Sequence, residues 1–143
     1  MKQQSGFTLI ELIMVIVVLG ILAATAMPKF ANMQHEARVA ALNGVRGSMN
    51  AAAVIAHGIQ QTQGVASNVA VTMAGTSINM VNGYPGSATP GIYDALDVDT
   101  STYIWSALSG VYISGTEACY VGWTEATAAG IPASATGMTT TDC

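Results

Sequence analysis

The sequence predicts an α+β protein: one long N-terminal α-helix with its C-terminal half packed on a small antiparallel β-sheet. Three observations carry this. Residues 7–27 are almost wholly apolar, with Glu11 their only ionisable side chain. Beyond Pro28 the apolar positions Leu42, Val45, Met49, Ala52, Ile55 and Ile59 recur at three- and four-residue steps. From Tyr103 onward, short runs rich in β-branched and aromatic residues alternate with Gly and Ser.

The first run is long enough to cross a bilayer, since about 1.5 Å per residue covers the roughly 30 Å of hydrocarbon. Apolar on every side, it is expected in lipid or buried in protein. Lys2 just before it favours a cytoplasmic N-terminus. A carboxylate near one end of such a span is costly without a partner, which marks Glu11 as a functional residue. From Phe7 to about Gln60 the pattern reads as one helix, roughly 80 Å long. A compact chain of 143 residues does not accommodate that length, so the N-terminal half is expected to stand clear of the domain. Gly20 and Pro28 are weak points in it. Proline removes a helix hydrogen bond, and glycine costs roughly 1 kcal/mol relative to alanine.

Gly6-Phe7-Thr8-Leu9-Ile10-Glu11, followed by the apolar helix, resembles the processing site of type IV prepilins. The resemblance implies that residues 1–6 are a leader and that a membrane peptidase cuts between Gly6 and Phe7 on the cytoplasmic side. It further implies N-methylation of the new terminus, Phe7. Residues 7–28 would then be the transmembrane and assembly half of the helix, and residues 29–143 the head with the second helix half. Glu11 would neutralise the N-terminal amine of Phe7 on a neighbouring copy. Gly20 and Pro28 fall where type IVa pilins have a helix-weakening glycine and proline, which implies partial unwinding between them in an assembled fibre. The implied partners are further copies of the chain, the prepilin peptidase and methylase, the inner membrane before assembly, the pilus assembly machinery, and a host or abiotic surface. A competing reading joins Lys2, the apolar run and Ala24-Thr25-Ala26 into a secretory signal peptide, releasing a soluble chain at Met27. Glu11 and the length of the run argue against it.

Composition agrees with a membrane or a packed assembly. Only 8% of residues are charged and the mean hydropathy is +0.46. Lys2, Lys29, Arg38 and Arg46 are the only basic residues. After Arg46 come Asp94, Asp97, Asp99, Glu117, Glu125 and Asp142, with no further Lys or Arg. Such an acidic head is a poor nucleic-acid binder, because phosphate contacts need cations. It reads either as a solubilising surface or as a complement to the basic helix segment of neighbouring copies. Lys29, Arg38 and Arg46 point about 180° and then about 80° apart around the helix and form no single stripe. His35 and His57 lack metal-ligand spacing and read as ordinary polar helix residues.

Cys119 and Cys143 in an exported chain are expected to form a disulfide. The loop it closes is worth roughly 3 kcal/mol in the chain-entropy account. Type IV pilins resemble this, with a disulfide near the C-terminus bounding a variable, exposed loop. Residues 68–73 and 78–81 flank Gly75-Thr76 as a hairpin, and Asn82-Gly83-Tyr84-Pro85-Gly86 is a strong turn. That Gly-Tyr-Pro turn and Cys119-Tyr120-Val121 resemble mannose-sensitive haemagglutinin-type pilins, a type IVa subgroup. Residues 91–98 are expected as a short helix. Asp94, Asp97 and Asp99 read first as an exposed acidic turn and are only weak calcium candidates, with the carboxylates but not the spacing of an EF-hand. Residues 103–105, 110–113 and 118–123 suggest a three- or four-stranded antiparallel meander. Trp105 and Trp123 read as packing residues, and residues 125–143 as an exposed tail pinned at its end.

No GxSxG, HExxH, Walker A or GxGxxG motif occurs, and no cofactor is implied. The expectation is a structural protein rather than an enzyme: a major pilus subunit, made in the inner membrane and ending in an extracellular filament for adhesion. The alternative is a pseudopilin of a type II secretion system.

Overall fold

The structure is a computed structural model and describes residues 7–106, 110–141 and 143. Gly6, on which the processing expectation partly rests, lies outside the described residues, as does Asp142. The chain divides into two compact units, Met1–Glu36 and Ala37–Cys143. Helix α1, Leu9–Gln63, supplies residues to both.

In the first unit α1 continues through Pro28. Its large apolar side chains are exposed from Phe7 to Phe30, at 46% for Ile13 and 93% for Phe7. Thr25 Oγ1 donates to the Leu22 carbonyl at 3.0 Å, so its hydroxyl is satisfied without a partner outside the helix.

In the second unit the helix buries Leu42, Val45, Met49, Ala52, Ala53, Ala56 and Gln60. The expected stripe is correct as far as Ala52 and then departs from the prediction. Ile55 is 55% exposed and Ile59 half-buried. Two consecutive steps of three carry Ile55 about 120° away from Met49, whereas Ala53 and Ala56 stay within about 40° of it. Gly64, at φ +65°, follows the last helical residue, and its N–H reaches the Gln61 carbonyl at 3.2 Å. This left-handed glycine closes the helix.

Two hairpins follow. Strands β1 (Val71–Met73) and β2 (Thr76–Ile78) are antiparallel and joined by Ala74-Gly75, both at positive φ. Strands β3 (Met80–Val81) and β4 (Tyr84–Pro85) are joined in the same way by Asn82-Gly83. Two-residue turns with both residues at positive φ match the twist of the flanking strands. Ala56, Val71, Ile78 and Met80 form a small core beneath the last turns of the helix.

Strands β5 (Tyr103–Ser106), β6 (Gly110–Ile113), β7 (Tyr120–Thr124) and β8 (Ser134–Thr139) form a four-stranded antiparallel meander in chain order. The register places Trp105, Val111, Val121 and Met138 in one row across the sheet. These residues belong to the main core, with Leu42, Val45 and Met49 of the helix and with Ile92, Cys119 and Ala135. The adjacent row, Ile104, Tyr112, Tyr120 and Thr139, faces away. Gly110 sits at φ +102°, and any side chain there would collide with the Val121 backbone.

Two expectations are corrected. The supposed tail contains β8, which pairs with β7 from Ser134 to Thr139 across a register shift at Val121/Gly122. Its small and Thr-rich sequence hid it, because the apolar side chains it contributes are only Ala135 and Met138. Residues 91–98 form turns rather than a helix. Ala95 N–H reaches the Gly91 carbonyl at 3.2 Å, and Asp94 ends the first turn by accepting from Gly91 N–H at 2.8 Å.

Met49 has no exposed surface and sits at the centre of the helix–sheet contact. Met49→Ala is expected to cost about 2–5 kcal/mol of head stability, read as a lower denaturant midpoint at unchanged slope. A midpoint matching the unsubstituted chain would show that this contact does not hold the head together.

Candidate functional site

The N-terminal end of α1 is built as a capping box. Thr8 precedes the first helical residue and Glu11 lies three positions on. Glu11 Oε2 accepts from Thr8 N–H and from Thr8 Oγ1, both at 2.8 Å. Glu11 N–H points back to Thr8 Oγ1 at 3.4 Å. The side chains thus satisfy backbone donors that the first helical turn leaves open. Glu11 Oε1 has no partner among the described residues. The arrangement therefore holds one carboxylate oxygen in place and leaves the second available to a cation.

Phe7 stands just outside this cap, and Gly20 lies on the same exposed helix with open space around its Cα. From Leu9 the helix has the length and composition to cross a membrane. A lone carboxylate in such a segment needs a positive partner wherever water is excluded.

The first 27 residues match the family model of the prokaryotic N-terminal methylation motif. The chain carries a prepilin-type N-terminus. Over 43 residues it is also 49% identical to the type II secretion system core protein G of Pseudomonas aeruginosa, a stretch covering 30% of each chain. No solved structure matches the chain significantly. The fold is the type IV pilin-like α+β arrangement, a long helix followed by small antiparallel sheets.

Behind this prepilin-type N-terminus, the head is held by ties that sequence reasoning largely missed. Cys119 and Cys143 are joined by a disulfide, with Cα atoms 5.0 Å apart and a sequence separation of 24. Both are buried. Arg38 Nη1 donates to the Cys143 carbonyl at 2.8 Å, fixing the same end to the helix. His57 is not an ordinary polar helix residue. It stacks on Tyr84 with ring centroids 4.3 Å apart and planes 3° apart, and its Nδ1 lies 2.6 Å from the Gly83 carbonyl. The tautomer protonated on Nδ1 donates there and leaves Nε2 to accept from the Gln61 amide at 2.6 Å. Buried Gln60 donates to the carbonyls of Ala66 and Val69. Gly83 is required here twice over, by its φ of +95° and by the His57 ring beside it.

The β3–β4 hairpin is also tied to the sheet. Trp123 Nε1 donates to the Pro85 carbonyl at 3.1 Å, and Asn82 Nδ2 to the Ala126 carbonyl at 2.8 Å. Glu125 Oε1 accepts from Ser87 N–H at 2.6 Å and Ser87 Oγ at 2.7 Å. The backbone donor, then the hydroxyl, hold this carboxyl below the ordinary glutamate range against the opposing effect of partial burial.

Asp94, Asp97 and Asp99 do not come together as a metal site. Among the described residues, no three metal-ligating side chains form such a group. Asp99 instead accepts from Thr102 Oγ1, Ser101 N–H and Ser101 Oγ, which lower its pKa in that order of backbone and side-chain contributions after Thr102. Tyr93 donates to the Tyr103 carbonyl at 2.7 Å. Its own pKa is raised by burial and then by the charges of Asp94 and Asp99.

Because the folded pKa of Glu125 is depressed, its contribution to stability is present above the unfolded glutamate pKa and is lost as pH falls through the folded value. The protection factor of the Ser87 amide, its exchange rate relative to the intrinsic rate at the same pH, is expected to fall across that acid window. Glu125→Gln is expected to flatten this part of the pH dependence. An identical acid response in the two proteins would remove Glu125 from this role.

Proposed function

We propose that this chain is the major structural subunit of a type IV pilus. It enters the inner membrane as a precursor, is cut between Gly6 and Phe7 and methylated at Phe7, and polymerises through its N-terminal helix into a surface filament for attachment. The observation that carries this reading is the apolar first stretch of α1, exposed along its length and carrying one half-satisfied carboxylate at its capped end. Before assembly lipid would cover that surface; in the filament, copies of the same helix would. The free oxygen of Glu11 is suited to the N-terminal amine of Phe7 on a neighbour, where a buried charge gains most from a partner. Gly20 and Pro28 would let the intervening helix unwind in the fibre, where neighbours replace the lost hydrogen bonds. The partners are copies of the chain, the processing peptidase and methylase, and the assembly machinery, with exposed head loops meeting a surface. The role is structural rather than catalytic.

Similarity to a type II secretion core protein specifically favours a second reading, a pseudopilin building a short periplasmic filament. That similarity spans 43 residues, and both readings use the same N-terminal logic. The disulfide that pins the segment after β8 supports the pilus reading through its resemblance to pilins.

Glu11→Ala is expected to leave processing at Phe7 intact while lowering sheared surface filament about tenfold or more. Intact mass checks processing, and immunoblotting of the sheared fraction checks assembly. Filaments of normal number and length in this variant would sink the proposed role of Glu11. Filaments confined to the envelope of unsubstituted cells would favour the pseudopilin reading.

A further inference from the structure

The second unit contains two cations, Arg38 and Arg46. Arg38 is engaged with Cys143. Arg46 is exposed and makes no hydrogen bond or ion pair among the described residues. The acids divide in the same way. Asp94, Asp99 and Glu125 each hold a backbone N–H of their own loops or of a neighbouring one. Asp97 and Glu117 hold nothing among the described residues.

Asp97 lines a groove of about 390 Å³ between the β1–β2 hairpin and the turns at 91–97. Met73, Ala95 and Leu96 supply apolar wall, and Asp94 stands beside Asp97. Among the described residues Asp94 uses only Oδ2, so its Oδ1 is a second open acceptor there. This combination fits an arginine: an apolar stem lies along methyl and methylene groups while the guanidinium fork meets carboxylate oxygens.

Resting on the filament reading above, we propose that this groove receives Arg46 of a second copy of the chain. The argument is charge complementarity. Among the described residues of the second unit, Arg46 is the cation without a partner, and it does not meet the unpaired carboxylate of the groove within its own chain. A contact between two different patches is heterologous, and when its rotation does not close it propagates along a filament. Every copy then presents one groove and one Arg46, so each interior contact is satisfied once. Both groups belong to the second unit, so this contact would set register between heads rather than drive polymerisation.

The test is a charge swap in cells that make the full chain and no other copy of it. Arg46→Asp and Asp97→Arg each place like charges at the contact and are expected to lower sheared filament about tenfold or more. Membrane levels, processing at Phe7 and the Cys119–Cys143 disulfide are expected to remain normal. The double swap is expected to restore filament to within about threefold of the unsubstituted chain, which a merely misfolded head does not do. Single swaps with normal filament, or a double swap no better than either single, overturn the groove proposal while the filament reading stands. An unsubstituted chain that yields no filament at all overturns both.

Discussion

The head depends on one contact, the burial of a single stripe of α1 against the sheet. Leu42, Val45 and Met49 meet Val111, Val121 and Ala135, and Asn50 Oδ1 accepts from Ala135 N–H at 2.9 Å beside them. A four-stranded meander with one apolar face is not stable alone in water and needs a covering layer. The helix provides it. Its last turns repeat the arrangement on a smaller scale, where Ala56 covers Val71, Ile78 and Met80. Ala52, Ala53 and Ala56 are the small buried residues of the helix in this region.

Polar ties then hold what the core cannot. The hairpins are two and three residues per strand, too short to be specified by their own ladders. The β3–β4 hairpin is fastened from outside: His57 holds its turn to the helix, Trp123 and Asn82 hold it to β7 and the segment after β7, and Glu125 holds Ser87 just beyond it, while Gln60 holds the connection that precedes β1. No buried side-chain polar atom lacks a partner among the described residues. In a chain with so few charges, these neutral and singly charged hydrogen bonds do what ion pairs do elsewhere. They also gain from partial burial, where the competing water is removed.

The first unit obeys the opposite constraint. Its helix satisfies its interior backbone groups internally, except at Pro28, which has no N–H to offer the Ala24 carbonyl. Its large apolar side chains from Phe7 to Phe30 are exposed. The capping box at Thr8 and Glu11 supplies acceptors to two backbone N–H groups, those of Thr8 and Glu11, at the end where the backbone would otherwise be open. A segment so constructed is nearly complete as a backbone and incomplete as a surface, which is the condition of an element made to be covered by lipid or by other molecules.

Much of this was legible in the residues themselves. The apolar run with Glu11, the helix, the hairpin at Gly75, the turn at Asn82-Gly83 and three of the four sheet strands all follow from local rules: hydrophobic period, turn chemistry and β propensity. Those rules act over a few residues, so one sequence suffices to read them. Strand β8 escaped because its place depends on β7 beside it rather than on its own side chains. Ile55 was misplaced because a helix face is decided by accumulated angle and by what lies opposite. The roles of His57, Arg38 and Glu125 depend on partners 26, 105 and 38 positions away in sequence, which no local pattern encodes. The sequence alone therefore determined that there is a membrane-length helix with a prepilin-type start and a β-rich head. Only the tertiary structure decided which face of that helix is buried, how the C-terminal segment joins the sheet, and which charges are left without partners.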